Sequence, residues 1–222
     1  MSIFINPFFF IRQSLYKHIR FFAPALSGRL LDFGCGRKPY QTLFSVTDYI
    51  GVDMEQTGHN HANSVADVFY DGKHIPFPNH YFDSVFCSEV LEHIFNPDEI
   101  LAELSRVTKP KGHILITVPF CWNEHEMPYD YARYSTFGIT HLLQKHNFTI
   151  LECRKSGNFA RVMFQLWALY FFELFNKLGK TGYILSMVLI MPVNLLGSIL
   201  LIVLPKNKSM YFNTVIMAEK NI

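Results

Sequence analysis

The chain has 222 residues, with 20 Lys and Arg against 18 Asp and Glu. That net charge of +2 is too small a surplus to recruit a nucleic-acid backbone, so no nucleic-acid partner is expected. Half of the residues are hydrophobic, only 17% are charged, and 22 Phe and 11 Tyr are present, which is more apolar surface than an ordinary soluble domain carries.

The length suits one α/β domain with some tens of residues left over. Cys35, Cys87, Cys121 and Cys153 stand alone without a C-x-x-C pair. Zinc and dithiol redox chemistry therefore lack support, and no metal site is expected. Reduced thiols in a cytosolic protein are the plain reading. The N-terminal apolar run is broken by Asn6 and Pro7 and follows no positive charge, so no secretory signal is read there.

Residues 7–23 read as an amphipathic helix, with Phe and Ile on one side and Arg12, Lys17 and Arg20 on the other. Two roles fit: packing ahead of a sheet, or lying on an anionic membrane surface. Next comes the stretch around which the chain is organised, Arg29-Leu30-Leu31-Asp32-Phe33-Gly34-Cys35-Gly36-Arg37-Lys38-Pro39. A strand that stops in such a turn lets a ligand come close to the backbone, because only glycine lacks the Cβ that would block it. The second strand, Tyr49-Ile50-Gly51-Val52, ends in Asp53, where an acid meets ribose hydroxyls in doubly wound folds. A dinucleotide fingerprint would want glycine where Pro39 stands, and Asp32 suits a ligand carrying a cationic amine better than a pyrophosphate.

A polar loop with His59 and His61 follows, read as solvated rather than metal-binding. Val65-Ala66-Asp67-Val68 is the third strand segment and Ser84-Val85-Phe86-Cys87-Ser88 the fourth. Glu89-Val90-Leu91-Glu92-His93 sits at the carboxyl end of the fourth strand, where open α/β sheets bind ligands. Asn96-Pro97-Asp98-Glu99 opens a helix that Lys109-Pro110-Lys111-Gly112 stops. His113 to Phe120 is the fifth strand.

Trp122 to Tyr134 then combines aromatic residues with ionisable ones. His125, Glu124 and Asp130 are candidate general bases, with His93 a further candidate or else an orienting residue. Trp122 and Tyr131 line the expected acceptor pocket, and Arg133 either holds an anionic acceptor or pairs with Asp130. An aromatic lid with internal ion pairs is the alternative for the whole loop. Ser135 caps a helix to His146, Phe148 to Cys153 is the sixth strand, and Tyr211 to Glu219 is the seventh.

The turn Asp32-Phe33-Gly34-Cys35-Gly36, with Asp53 after it, resembles the first motif of class I S-adenosylmethionine-dependent methyltransferases of the broad type 11 group. The Val90-Leu91-Glu92-His93 run and the Pro-Lys-Gly turn before the fifth strand look like the same family. The resemblance is strong from Leu30 to Cys153 and absent over the apolar segment that follows. It implies a Rossmann-like, seven-stranded, mostly parallel sheet with helices on both faces, with an apolar helical insertion between the last two strands. The implied cofactor is S-adenosyl-L-methionine. Asp32, Gly34, Cys35 and Gly36 would hold its methionine part, Asp53 and Met54 its ribose, and Asp67 its adenine amine, with Ser88 and Glu89 facing it.

The domains read as 1–28 (amphipathic helix), 29–157 (core), 158–207 (insertion) and 208–222 (final strand). Arg161, Gln165 and Glu173 share one side of the first insertion helix, an interfacial pattern. Tyr183 to Leu204 is uncharged and long enough to cross a bilayer. Both flanking strands belong to one sheet, so zero or two crossings are allowed. Lys177, Lys180, Lys206 and Lys208 disfavour two, and Pro192, Asn194 and Gly197 suit a bend. A re-entrant or interface-lying hairpin at the inner face of the plasma membrane is therefore expected, with a buried dimer interface as the alternative. The expected activity is O-methylation of a small-molecule or lipid-linked acceptor, such as a lipid-linked sugar. Methylation of a prenylated quinone precursor and a non-catalytic cofactor-binding scaffold are the other readings.

Overall fold

The structure is a computed structural model that describes residues 3–54 and 65–222, so His59 and His61 lie outside the described residues. Seven strands form one sheet in the order β3-β2-β1-β4-β5-β7-β6. They are β1 (Arg29–Phe33), β2 (Asp48–Met54), β3 (Val68–Tyr70), β4 (Phe82–Ser88), β5 (Thr108–Pro119), β6 (Phe148–Lys155) and β7 (Asn213–Lys220). β1 pairs in parallel with both β2 and β4, β2 with β3, and β4 with β5. The last strand runs the other way: Asn221 N donates to Asn147 O while Ser156 N donates to Asn213 O, so β6 and β7 meet head to tail.

The strands alternate between two apolar faces. Leu31, Val85, Ile114 and Ile116 pack with Ile100, Leu104 and Val107 of α2 (Pro97–Val107) and with Ile139 and Leu143 of α3 (Thr136–Lys145). Their neighbours Leu30 and Phe86 are buried too, and Phe86 meets the Phe44 ring at 4.9 Å. Such double burial is what near-continuous apolar strands require of a parallel sheet. α3 begins where expected, with the Ser135 hydroxyl accepting from Gly138 N at 3.2 Å.

Two local expectations shift. The third strand is Val68–Tyr70 rather than 65–68, and Asp67 just before it is tied to Gly51 twice, its backbone N–H donating to the Gly51 carbonyl and its carboxylate accepting from the Gly51 amide. The Lys109 to Gly112 turn is absorbed into β5 as a bulge, with Thr108 opposite Phe82 and His113 opposite Ser84. Lys111 takes φ 65° there.

The chain divides into two compact units, Met1–Lys17 with Lys155–Asn213, and His18–Arg154 with Thr214–Ile222. The second holds nearly all of the sheet. The first contains the start of α1 (Phe9–Phe22) and a hairpin of α4 (Phe159–Asn176) and α5 (Gly179–Val203). α5 is long and apolar enough to cross a membrane by length and composition, with mean hydropathy 2.3.

The interfacial pattern expected of α4 is corrected. Gln165 is fully buried, accepting from Ile11 N at 3.1 Å and donating to the Pro7 carbonyl, while Arg161 reaches Gln13 at 2.9 Å. These two polar residues of α4 therefore satisfy backbone and side-chain groups of the N-terminal segment, while Glu173, the third of the expected side, is exposed. Apolar residues face outward instead, among them Trp167 (58% exposed), Tyr170 (61%), Ile184 (64%) and Val188 (60%). Asn194 and Gly197 likewise serve packing. The Asn194 amide donates to the Phe4 and Asn6 carbonyls, and a Cβ on Gly197 would lie 2.7 Å from Phe164. α5 continues through Pro192 as one helix.

Replacing Gln165 with Leu keeps the volume but strands the Ile11 N–H and the Pro7 carbonyl without a partner. The expected cost is about 1–3 kcal/mol, read as a lowered thermal unfolding midpoint of the full chain. An unchanged midpoint would contradict this role.

Candidate active site

The site is built at the carboxyl ends of β1, β2, β4 and β5. At the end of β1 the chain turns back on β2, and the Val52 carbonyl accepts from Gly34 N at 2.8 Å and Cys35 N at 3.2 Å. Gly34 adopts φ 72°, and a Cβ there would stand 2.3 Å from the Val90 side chain. Gly36 also has positive φ, 49°, but a Cβ on it would meet nothing within 4 Å. The first glycine is needed for packing, whereas the second leaves open space over the backbone.

Three carboxylates surround that turn. Asp53 accepts from Gly36 N at 3.0 Å and Met54 N at 2.8 Å. One amide on each oxygen leaves each a second lone pair for a hydroxyl donor. Asp32 is buried, and burial raises its pKa to about 7 against the opposing hydrogen bond from the Tyr49 hydroxyl at 2.5 Å. Asp67 accepts from the Gly51 amide at 2.7 Å and Lys38 at 2.6 Å. Although desolvation works against it, those bonds hold its pKa below the ordinary value. Cys35 is buried, with its thiol pushed up to about 12 by desolvation, so it is no nucleophile. A cationic amine fits the buried acid at Asp32, a diol fits Asp53, and the space over Gly36 admits them to the backbone, so the residues present suit a sulfonium nucleoside.

Beyond β4 and β5 a polar chain links Ser88, Thr117 and Glu89. The two hydroxyls lie 2.8 Å apart, and Thr117 donates to Glu89 at 2.7 Å. Glu89 sits at φ 56°, a conformation uncommon for a side chain with a Cβ and one that clusters at functional sites.

The loop after β5 is organised by Arg133. Its guanidinium grips both oxygens of Asp130 at 2.5 and 2.6 Å and donates to the carbonyls of Trp122, Asn123 and Ala132. Of the two readings of Arg133, the pairing with Asp130 is the one seen. That pairing drives Asp130 far below the ordinary carboxylate range, so Asp130 orients rather than accepts protons. It takes the His125 backbone N–H at 2.9 Å and lies 3.2 Å from His125 Nδ1. Glu124 is exposed to solvent. The Tyr131 ring meets Phe95 edge-on at 5.4 Å, and its backbone N–H donates to the Glu92 carbonyl at 2.8 Å.

The structure brings His93 and His125 together with their ring centroids 4.8 Å apart. It also brings in Glu92, which the sequence reading placed at the strand end without naming it a candidate base, and Glu126, which it did not single out. Glu92 is completely buried, and neither carboxylate oxygen has a hydrogen-bond partner among the described residues. Glu126 Oε1 lies 3.6 Å from His93 Nε2, with Glu126 at φ 53°. The E-H pair after the fourth strand was a signal for Glu92. Glu126 carried none, since its place depends on how the 122–134 loop folds back over the strand end.

Comparison with known proteins agrees with this geometry. A family model described as a methyltransferase domain, type 11, matches residues 31–116. The ubiquinone/menaquinone biosynthesis C-methyltransferase UbiE of Ralstonia pickettii is 41% identical over 61 residues, covering 27% of this chain and 25% of that protein. Its counterpart in Burkholderia cenocepacia is 44% identical over 46 residues, 21% of this chain and 19% of the relative. The chain thus matches about a quarter or less of these relatives' length.

Among solved structures, the [4+2]-cyclase SpnF aligns with TM-score 0.60 at 17% identity, over 94% of this chain and 81% of its own. An S-adenosylmethionine-dependent methyltransferase from Archaeoglobus fulgidus gives 0.58 at 18%, over 94% of each chain. Phosphoethanolamine N-methyltransferase 2 of Haemonchus contortus, in complex with S-adenosyl-L-methionine, gives 0.56 at 19%, over 95% of this chain and 53% of that one. At such identities the likeness is one of fold. The family-model match is confined to residues 31–116, so what is shown is a likeness of that segment, with its Asp32 to Gly36 turn, to methyltransferase domains of type 11.

Proposed function

We propose that the protein is a methyltransferase that uses S-adenosyl-L-methionine to O-methylate a membrane-held acceptor, such as a lipid-linked sugar, at the cytoplasmic face of the membrane. The observation that carries the cofactor assignment is the open turn at Gly36 flanked by Asp32 and Asp53. Bound there, the cofactor supplies an activated methyl group on a sulfonium, already a good leaving group. The protein's own residues then have two tasks: to hold the acceptor oxygen in line, worth several kcal/mol through positioning, and to relieve that oxygen of its proton.

Asp32 meets the cofactor's ammonium and Asp53 its ribose hydroxyls, with Met54 beside them. The Arg133–Asp130 pair fixes the loop and aims His125, while Trp122, Tyr131 and Phe95 supply aromatic surface for the acceptor. The proton is lost at the cluster of Glu92, His93 and His125. Membrane association is supported by the outward apolar side of the α4–α5 hairpin. The cytoplasmic face is where a soluble cofactor and a lipid-linked acceptor meet.

A second reading, methylation of a prenylated phenolic precursor, is favoured by one finding: the curated relatives are C-methyltransferases of quinone biosynthesis. Both acceptors are membrane-held hydroxyl compounds, so product chemistry separates them. Membranes incubated with the protein and methyl-labelled cofactor are expected to yield label in a lipid-linked saccharide fraction released by mild acid. Label in the quinone fraction would replace the first reading with the second, and label in neither would remove the membrane-held acceptor altogether.

Calorimetric titration with S-adenosylhomocysteine tests the cofactor site without catalysis. Binding is expected, and Asp53→Ala is expected to abolish most of it. Asp32 adds a pH signature. Its folded pKa of about 7 lies above the ordinary 3.8, so the folded chain retains a proton across that window and loses stability as pH rises through it. A ligand ammonium prefers the ionised acid. Affinity should therefore climb by up to about tenfold per pH unit below 7 and level off above it, and Asp32→Asn should flatten the curve. A flat wild-type profile would contradict this role for Asp32. Separately, His125→Ala is expected to cut methyl transfer by about 10²–10⁴ with homocysteine-nucleoside affinity intact, measured with the same labelled substrate.

A further inference from the structure

We infer that Glu92, His93 and His125 are the ligands of a divalent first-row transition-metal ion. One potential ligand atom from each lies within 4.8 Å of the other two. A ligand set of two imidazoles and one carboxylate is a donor combination that zinc and ferrous sites share.

The orientation of the three side chains is the first support. His93 Nδ1 lies 2.8 Å from the Tyr129 carbonyl, which can only accept, so the ring proton sits on Nδ1 and the lone pair is on Nε2. That Nε2 is buried and has no hydrogen-bond partner among the described residues. His125 repeats the arrangement, with Nδ1 engaged by the Asp130 carboxylate at 3.2 Å and the Asn123 carbonyl at 3.3 Å. Such outer partners fix the tautomer and raise the basicity of metal-binding imidazoles. Asp130 is itself held through both oxygens by Arg133, which fixes the outer partner of the His125 ring.

The second support is Glu92. A carboxyl group with no exposure and neither oxygen paired costs several kcal/mol unless something compensates it. The nearby guanidinium cannot do so, because Arg133 is spent on Asp130. The ion-pair contact from His93 Nε2 to Glu92 Oε1 is 3.8 Å, too long for a hydrogen bond. A cation between them would satisfy both at once. The local charge points the same way, since the carboxylates of Glu89, Glu126 and Asp130 act on Glu92 and His93 together with the Arg133 guanidinium. Glu126 Oε1, 3.6 Å from His93 Nε2, is placed to become a fourth ligand or to leave that position to substrate.

Donor atoms around one such ion at about 2.1 Å stand roughly 3–3.5 Å apart, so the cluster must contract by about 1.5 Å, within reach of side-chain rotation. The chemical consequence rests on the methyl-transfer reading above. The ion holds the acceptor oxygen, whose hydroxyl proton passes to water. That oxygen then forms the new O–C bond as the C–S bond breaks, leaving a neutral thioether. The imidazoles then act as ligands, and the ion does the work otherwise asked of a base.

The test is metal binding by the full chain, stripped with chelator and titrated with Zn²⁺, Co²⁺ and Mn²⁺, with S-adenosylhomocysteine binding as the control of folding. One equivalent is expected to bind in the micromolar range or tighter. His125→Ala and Glu92→Gln should each weaken it by at least about tenfold while the nucleoside still binds. Cobalt should give a visible absorption spectrum that both variants lose. Failure of all three ions to bind, or binding that neither variant weakens, overturns the inference. Should Glu92→Gln lose nucleoside binding through misfolding, His125→Ala and the cobalt spectrum decide. A chain that binds metal but no nucleoside would retain this site and refute the methyltransferase reading, so the two fail separately.

Discussion

The Val52 carbonyl, taking two backbone amides at once, is the contact on which the rest of the structure depends. By accepting from Gly34 and Cys35 it folds the end of β1 against β2, and this brings acids from two strands to one place. Asp53 can then bind the Gly36 amide, and Asp32 is left beneath the turn with Tyr49 as its donor. Remove the glycine freedom at residue 34 and the turn collides with Val90. The carboxylates would still exist, but they would no longer converge.

Around that turn the protein holds its acids at different proton affinities by environment alone. Burial pushes Asp32 up to about 7, while the backbone amide of Gly51 and the ammonium of Lys38 hold Asp67 down. Across the site Arg133 drives Asp130 lower still, and burial lifts Glu92 well above the ordinary value. Side-chain carboxyls thus sit at four different proton affinities, one of them buried with both oxygens unpaired among the described residues. Such separation is what desolvation and charge pairing produce when they act on neighbours unequally.

The fold itself does not choose the chemistry. A [4+2]-cyclase aligns with this chain as well as the methyltransferases do, as expected where one scaffold hosts many reactions. The family model ends at residue 116, before the loop after β5 and the α4–α5 hairpin. The loop sets His125 against His93 of the preceding strand end and holds Asp130, and the hairpin buries Gln165 and Asn194 while exposing much of its apolar surface.

The sequence alone determined the parts whose signal is local. The succession of strands along the chain, the two-glycine turn, the Asp53 position, the Ser135 cap and the existence of two apolar helices follow from periodicity and from residues that act within a turn or two of themselves, whereas the sheet itself was implied only by the family resemblance. Tertiary structure decided the rest. Whether Gln165 meets lipid headgroups or the Pro7 carbonyl depends on a helix more than a hundred residues away in sequence. Likewise Arg133 spends its donors on Asp130 and three carbonyls, which no spacing rule foretells. The juxtaposition of Glu92, His93 and His125 has the same origin. It joins the end of one strand to a loop beyond the next, and long-range contact of that kind is set by packing, not by sequence pattern.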